Sequence, residues 1–302
     1  MNKDRGFQNG WWLIFLTLCI IYIAYIPTVF IPMDMLPSLI INELLMIIPL
    51  IVGFFILKTD YETYGIKECL GMNPFPLRLV PFLVIIAPCG QIFSGLILSP
   101  IQSFLTLLSG SVDYNDIIGG KQTEYIIGNF VIVCIVAPII EELLCRGMLM
   151  RLFKRYGVTS MLIFSSLAFA LLHQTASTLF HIFFIGLILG IIRITTNSIF
   201  SCMIVHALSN LFSFVLLYFE DLNVYINLFI VVISVILFPL LMWRHLTHSA
   251  YIGCTQASKK SSAGFSVALL LCCIVFIVTN LFMFVVRISS GELFYELNML
   301  YG

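Results

Sequence analysis

Long, unbroken apolar runs dominate the chain, each closed by charged residues, proline or glycine. An α-helix crossing the hydrocarbon of a bilayer needs about 20 apolar residues. Runs of this kind lie near 11–32, 37–57, 79–99, 125–150, 158–175, 177–195, 198–219, 222–243 and 264–287. They predict an all-α, polytopic transmembrane helix bundle of about nine spans. The runs do not alternate with polar residues, which excludes a transmembrane β-barrel. The first run follows Lys3 and Arg5, as in a signal peptide, but no small-x-small cleavage site follows it. It reads as an uncleaved span. Trp11, Trp12, Tyr22 and Tyr25 suit its interfacial ends or contacts within the bundle.

Two connections are longer than the rest. Residues 100–124 carry Asp113, Asp116, Gly119 and Gly120 and read as an outer loop with a short amphipathic piece at 102–108. Residues 245–263 are rich in Ser and Lys. The division that follows is a bundle over 1–243 with a core at 125–219, a cytoplasmic linker at 244–263, and a detached additional C-terminal helix with its tail at 264–302. No repeat of fixed period appears, which counts against a transporter built from repeats.

Composition agrees with this reading. Apolar residues make up 61% of the chain and charged residues 10%, against about 25% charged in soluble domains. The 15 basic and 15 acidic residues cancel. A disordered chain would be polar, and a nucleic-acid binder would carry a basic excess. The basic residues also set orientation. With nine spans and the N-terminus inside, the inner segments hold Lys3, Arg5, Lys58, Lys67, Arg78, Arg151, Lys154, Arg155, Arg193, Arg244, Lys259 and Lys260. The outer segments hold only Lys121 and Arg287, and Arg146 falls within a span. One helix more or fewer would destroy this bias. The tail, with Glu292 and Glu296, then lies outside. The nine cysteines show no metal-ligand spacing and read as small apolar packing residues.

Ionisable groups within a span are costly and therefore mark candidate sites. The fourth run carries Glu141, Glu142 and Arg146, the fifth His173, the sixth His181, and the seventh His206 with Asn210. Glu43 sits toward the outer end of the second run and is expected at the interface. Glu142 and Arg146 are four apart on one helix face and can pair. Glu141 is turned by about 100° from Glu142 and is free to point elsewhere. Pro138, one turn earlier, should kink or loosen the helix. Phe169 and His173 share a face, as do His206 and Asn210, so three helices can present polar groups to one cavity.

A carboxylate and an imidazole can activate water, and a second imidazole and an amide can stabilise an oxyanion. That set suffices for amide hydrolysis. Two Glu and two His could instead hold a divalent metal such as zinc, although the H-E-x-x-H helix is absent. Plainer readings apply to each residue singly: a Glu–Arg pair as structural glue, a lone His as a helix–helix hydrogen bond, His181 as structural or cavity-lining, and Gly186 with Gly190 as a close helix contact. Cys145 reads as inert.

Together the motifs are more specific. Glu141-Glu142-Leu-Leu-Cys-Arg146 matches E-E-x-x-x-R, Phe169-Ala-Leu-Leu-His173 matches F-x-x-x-H, Phe183-x-x-Gly186-Leu-Ile-Leu-Gly190 is a glycine-bearing third motif, and His206-Ala-Leu-Ser-Asn210 matches H-x-x-x-N. Their order and spacing over 125–219 resemble the CPBP family, the CAAX prenyl-protease-like and bacteriocin-processing-like intramembrane endopeptidases. The resemblance implies a water-accessible site within the membrane. By motif, Glu141 with His173 would activate water, His206 and Asn210 would bind the oxyanion, and Glu142, Arg146 and Phe169 would support them. The family has been described both as metalloproteases and as glutamate proteases, so a metal requirement stays open.

The implied activity is hydrolysis of a peptide bond in a membrane-associated or membrane-delivered peptide or protein. The alternative is a catalytically silent family member acting as a scaffold, a sensor-kinase modulator or a bacteriocin immunity protein. A transporter with an ion relay is a third class. The expected setting is a bacterial plasma membrane, with membrane lipid and a peptide substrate as partners and no nucleic acid. Two departures from the family pattern stand out. Asn197 occupies a turn position where glycine is common, a mild change because Asn tolerates left-handed backbone. Counted at 1.5 Å per residue from the inner helix ends, His206 lies about 12 Å deep and His173 about 22 Å, so helix tilt or a broken fifth helix is needed to bring them together.

Overall fold

A computed structural model describes residues 3–30, 35–109, 123–173, 175–216, 224–248 and 267–290. Most of the expected outer loop, most of the linker and the C-terminal tail lie outside these residues. The described elements are helical, joined by short turns, with one isolated antiparallel bridge between Met72 and Ser198. In chain order they are α1 (Lys3–Phe30), α2 (Met35–Leu45), α3 (Ile47–Ile56), α4 (Lys58–Tyr64), α5 (Ile66–Leu70) and α6 (Val80–Ser109). Then follow α7 (Thr123–Val131), α8 (Ala137–Glu142), α9 (Met150–Phe153), α10 (Val158–Leu172), α11 (Leu179–Thr196), α12 (Ile199–Leu216), α13 (Val224–His248) and α14 (Val267–Ser290).

Each apolar run contains helix. Among the described residues six helical stretches are long and apolar enough to cross a membrane: Leu36–Ile56, Leu77–Leu107, Ile126–Phe153, Leu179–Thr196, Ile199–Leu216 and Leu228–Thr247. Gln8–Ile23, Val158–Leu172 and Ala268–Val278 are apolar but shorter. The chain is a multi-pass membrane protein.

Three boundaries differ from expectation. Residues 102–108 continue α6, because the chain from Ile101 to Leu108 contains no glycine or proline and its polar residues, Gln102, Ser103 and Thr106, are uncharged. α13 runs to His248, so the first residues assigned to the linker are helical. The last helix is not detached. α14 packs against α1 and α6, with the Cys272 thiol 3.8 Å from the Trp11 carbonyl.

Trp11 anchors this side of the core. It is fully buried, with its ring 5.6 Å from Phe153 and 5.7 Å from Phe164. Its neighbour Trp12 faces outward, at 46% exposure. The described cysteines are free thiols, most of them buried in apolar packing.

The helix that carries the acidic motif is irregular. Between α7 and α8 lies a π-helical segment, Ile132–Val136, and between α8 and α9 a second, Leu143–Leu149. Pro138 explains the first: it has no N–H to donate, and its ring crowds the carbonyl one turn earlier, so the turn before it widens. α10 and α11 make the most extensive helix–helix contact. Gly186 permits it, since a Cβ there would lie 3.1 Å from the Ser166 Cα and 3.3 Å from its carbonyl oxygen. Gly190 faces the Leu162 side chain.

The turn between α11 and α12 is tied down by its partner loop. Asn197 has φ +50°, the left-handed conformation suited to glycine or asparagine. The Ile199 amide donates to the Gly71 carbonyl at 2.8 Å, and the Asn73 amide to the Asn197 carbonyl at 3.2 Å.

Candidate active site

α8, α10 and α12 bring the expected residues together. α8 ends in Glu141 and Glu142, and the roughly 100° turn between successive helical residues points the two carboxylates apart. Glu142 is fully buried. Its Oε1 accepts from Arg146 Nη1 at 3.0 Å and from His206 Nδ1 at 3.0 Å. Arg146 is also fully buried. Its second nitrogen, Nη2, donates to the Gly186 carbonyl at 3.1 Å, and its guanidinium lies 4.2 Å over the Phe169 ring. The intrahelical pair is therefore met by three further helices, α10, α11 and α12, and the third motif contributes a carbonyl to it.

Glu141 is not paired with Arg146. Its carboxylate is 18% exposed, and its Oε2 lies 3.9 Å from both His173 Nε2 and His206 Nε2. That oxygen has no hydrogen-bond partner. A gap of 3.9 Å is too long for a direct hydrogen bond.

His173 caps α10. The last carbonyls of a helix have no intrahelical donor, and here the His173 Nδ1 group donates to the Phe169 carbonyl at 2.8 Å. A carbonyl and an ionised carboxylate only accept, so the proton sits on Nδ1 of both His173 and His206. Each ring then turns Nε2 toward Glu141. In its neutral form that nitrogen is an acceptor. Phe169 packs between the rings, 4.7 Å from His173 and 5.5 Å from His206. The 10 Å depth difference expected from helix counting is therefore absorbed by the offset or inclination of α10 relative to α12.

Asn210, one turn beyond His206, donates Nδ2 to the Val133 carbonyl at 2.8 Å. Val133 lies in the first π segment, where carbonyls are displaced from regular helix bonding. An amide nitrogen carries two hydrogens, so one remains for another acceptor.

Sequence reasoning missed several groups. Glu43 is not simply interfacial: its Oε2 is buried without a hydrogen-bond partner, and it lies within electrostatic range of Glu141. α2, which carries it, packs on the first π segment. On α6, Ser94 bonds His181 Nδ1 at 2.9 Å and Gln91 bonds Ser213 at 3.4 Å. His181 lies within electrostatic range of His173. The available signal was the spacing of Gln91 and Ser94, one turn apart within an apolar run. Among the described residues no group of three or more His, Cys, Asp or Glu side chains converges on a metal position.

No curated protein and no solved structure matches the chain. Residues 123–212, which contain all four motifs, match the model of the type II CAAX prenyl endopeptidases, Rce1-like.

Proposed function

We propose that the chain is an intramembrane endopeptidase in which Glu141 and His173 activate the attacking water and His206 and Asn210 receive the oxyanion. The observation that carries this reading is the approach of two imidazole Nε2 atoms to one carboxylate oxygen, each at 3.9 Å. That separation suits one bridging water, about 2.8 Å from each group. Glu141 Oε2 and neutral His173 Nε2 are both acceptors and can hold the two protons of such a water. As its oxygen adds to the scissile carbonyl carbon, one proton passes to Glu141.

The oxyanion so formed accepts from the second Nδ2 hydrogen of Asn210. It also accepts from His206 Nε2 when His206 is an imidazolium, whose other proton, on Nδ1, is held by the Glu142 carboxylate. Collapse breaks the C–N bond, and the proton held by Glu141 passes to the leaving amine. Glu142 and Arg146 position His206 and do not touch the substrate.

The substrate is a membrane-associated or membrane-delivered peptide or protein. The charge asymmetry of the loops supports about nine spans with the N-terminus inside, in a bacterial plasma membrane. The test is Glu141→Gln in reconstituted liposomes, with cleavage products read by mass spectrometry. Loss of activity by about 10²–10⁴-fold, with folding intact, is expected. Undiminished cleavage refutes the assignment.

A further inference from the structure

A second polar space lies apart from Glu141. A cavity of about 280 Å³ opens between α5, the second π segment, α9, the start of α10 and the end of α11. It is much larger than the roughly 30 Å³ share of one water molecule. None of Glu141, His173, His206 and Asn210 lines it. Arg146, Arg151, Lys154 and Arg193 do, and Glu68 is the carboxylate on the wall among the described residues.

Two of these cations are already neutralised. Arg146 pairs with Glu142 at 3.0 Å and Arg151 with Asp60 at 2.8 Å. Lys154 and Arg193 form no ion pair among the described residues, and Glu68 lies within electrostatic range of Arg193. Burial pushes the Cys69 thiol on the same wall above its ordinary range, so it adds no negative charge. Among the described lining residues two unpaired cations, the exposed Lys154 and the half-buried Arg193, face one carboxylate.

Arg193 is held by neutral groups. Its Nη1 donates to Asn197 Oδ1 at 3.2 Å, and its Nε is buried without an acceptor. A Cβ at Gly71 would collide with its guanidinium, so the glycine provides the space that Arg193 occupies. The counter-charge within electrostatic range of Arg193 is Glu68, with which it makes no ion pair, and burying a cation without a direct anionic partner is costly. The position along the helices bears on which anion would fit there. Lys154 directly follows the stretch Ile126–Phe153, and Arg193 lies close to the end of Leu179–Thr196. These are the ends of membrane-length helices, the level of lipid phosphates.

We infer that this cavity binds the phosphodiester of an anionic phospholipid headgroup. The inference does not depend on the hydrolytic reading, and its test reads binding alone. Full-length protein stripped of lipid in detergent is titrated with short-chain phosphatidylglycerol, and the adduct is followed by native mass spectrometry. One headgroup is expected to bind, with affinity lowered about fivefold by Lys154→Gln and about fivefold by Arg193→Gln. Wild-type affinity in both folded variants overturns the inference. Should Arg193→Gln fail to fold, Lys154→Gln decides alone, and unchanged affinity there overturns it equally. Millimolar inorganic phosphate is expected not to displace the lipid; displacement assigns the site to a free anion and overturns the lipid assignment. A peptide that displaces the lipid with a free C-terminal carboxylate, but not as its amide, overturns it in favour of a substrate terminus.

Discussion

His206 on α12 donates Nδ1 to Glu142 at the end of α8 across 3.0 Å, and the same carboxylate oxygen receives Arg146 at 3.0 Å. One oxygen therefore sets the tautomer of a candidate catalytic imidazole and compensates a buried guanidinium. The two adjacent glutamates divide the work: Glu142 is fully buried and receives Arg146 and His206 on Oε1, whereas Glu141 keeps a buried oxygen open toward both rings.

Glu142→Gln keeps the shape of the side chain and removes its charge. Arg146 is then a fully buried cation with no anionic partner, a defect that costs about 3–5 kcal/mol. A large loss of thermal stability in detergent is expected, and it should be partly restored in Glu142→Gln/Arg146→Met, where both charges are gone. Thermal unfolding of the two variants checks this. Equal stability of the single variant and the wild type would mean that the pair is not the anchor described.

The tautomers give a direct spectroscopic prediction. In the neutral state of His173 and His206 the proton resides on Nδ1, because each Nδ1 faces a group that only accepts. ¹⁵N spectra of histidine-labelled protein in nanodiscs should show a protonated Nδ1 and a bare Nε2 for both. Replacing Glu142 with Gln should disturb the His206 signals and leave those of His173, which is held by the Phe169 carbonyl.

Much of this arrangement was legible in the chain. Glu141, Glu142, Arg146, His173, His206 and Asn210 were few enough charges and amides in apolar runs to be picked out singly, and i,i+4 spacing already paired Glu142 with Arg146. Asn197, in a position suited to glycine, does adopt left-handed backbone. What escaped were tertiary bonds to backbone. That the Gly186 and Val133 carbonyls receive Arg146 and Asn210 depends on helix crossing and on the π segments, and neither has a sequence period. Glu43 was misplaced for a similar reason. Depth along a run says nothing of azimuth until the packing of α2 on the motif helix is known.

Gly186 and Gly190 occupy equivalent positions one turn apart but should differ in tolerance. A methyl group at Gly186 would press on the Ser166 backbone at 3.1 Å, which cannot move without shifting α10, and would disturb the carbonyl held by Arg146. At Gly190 the obstacle is the end of the Leu162 side chain, which can change rotamer. Gly186→Ala is expected to cost about 1–3 kcal/mol as an overpacking change, and Gly190→Ala distinctly less. Chemical or thermal unfolding of the two variants side by side tests the ranking, and the reverse order would contradict the packing of α10 on α11.

Asn210 separates a binding role from a transition-state role. One hydrogen of its amide nitrogen is committed to the Val133 carbonyl at 2.8 Å, which fixes the orientation of the amide and leaves the second hydrogen directed elsewhere. If that second hydrogen meets the oxyanion, it acts chiefly after the carbonyl carbon has become tetrahedral. Asn210→Ala should then lower kcat by about 10²–10³-fold, the usual effect of removing one oxyanion donor, with little change in KM. Asn210→Asp keeps the size but replaces the donor with an acceptor facing the Val133 carbonyl, so it should lose at least as much activity and some stability besides. A rise in KM with kcat unchanged for Asn210→Ala would instead assign the residue to substrate binding. Unchanged kinetics with lowered stability would leave it only the Val133 contact.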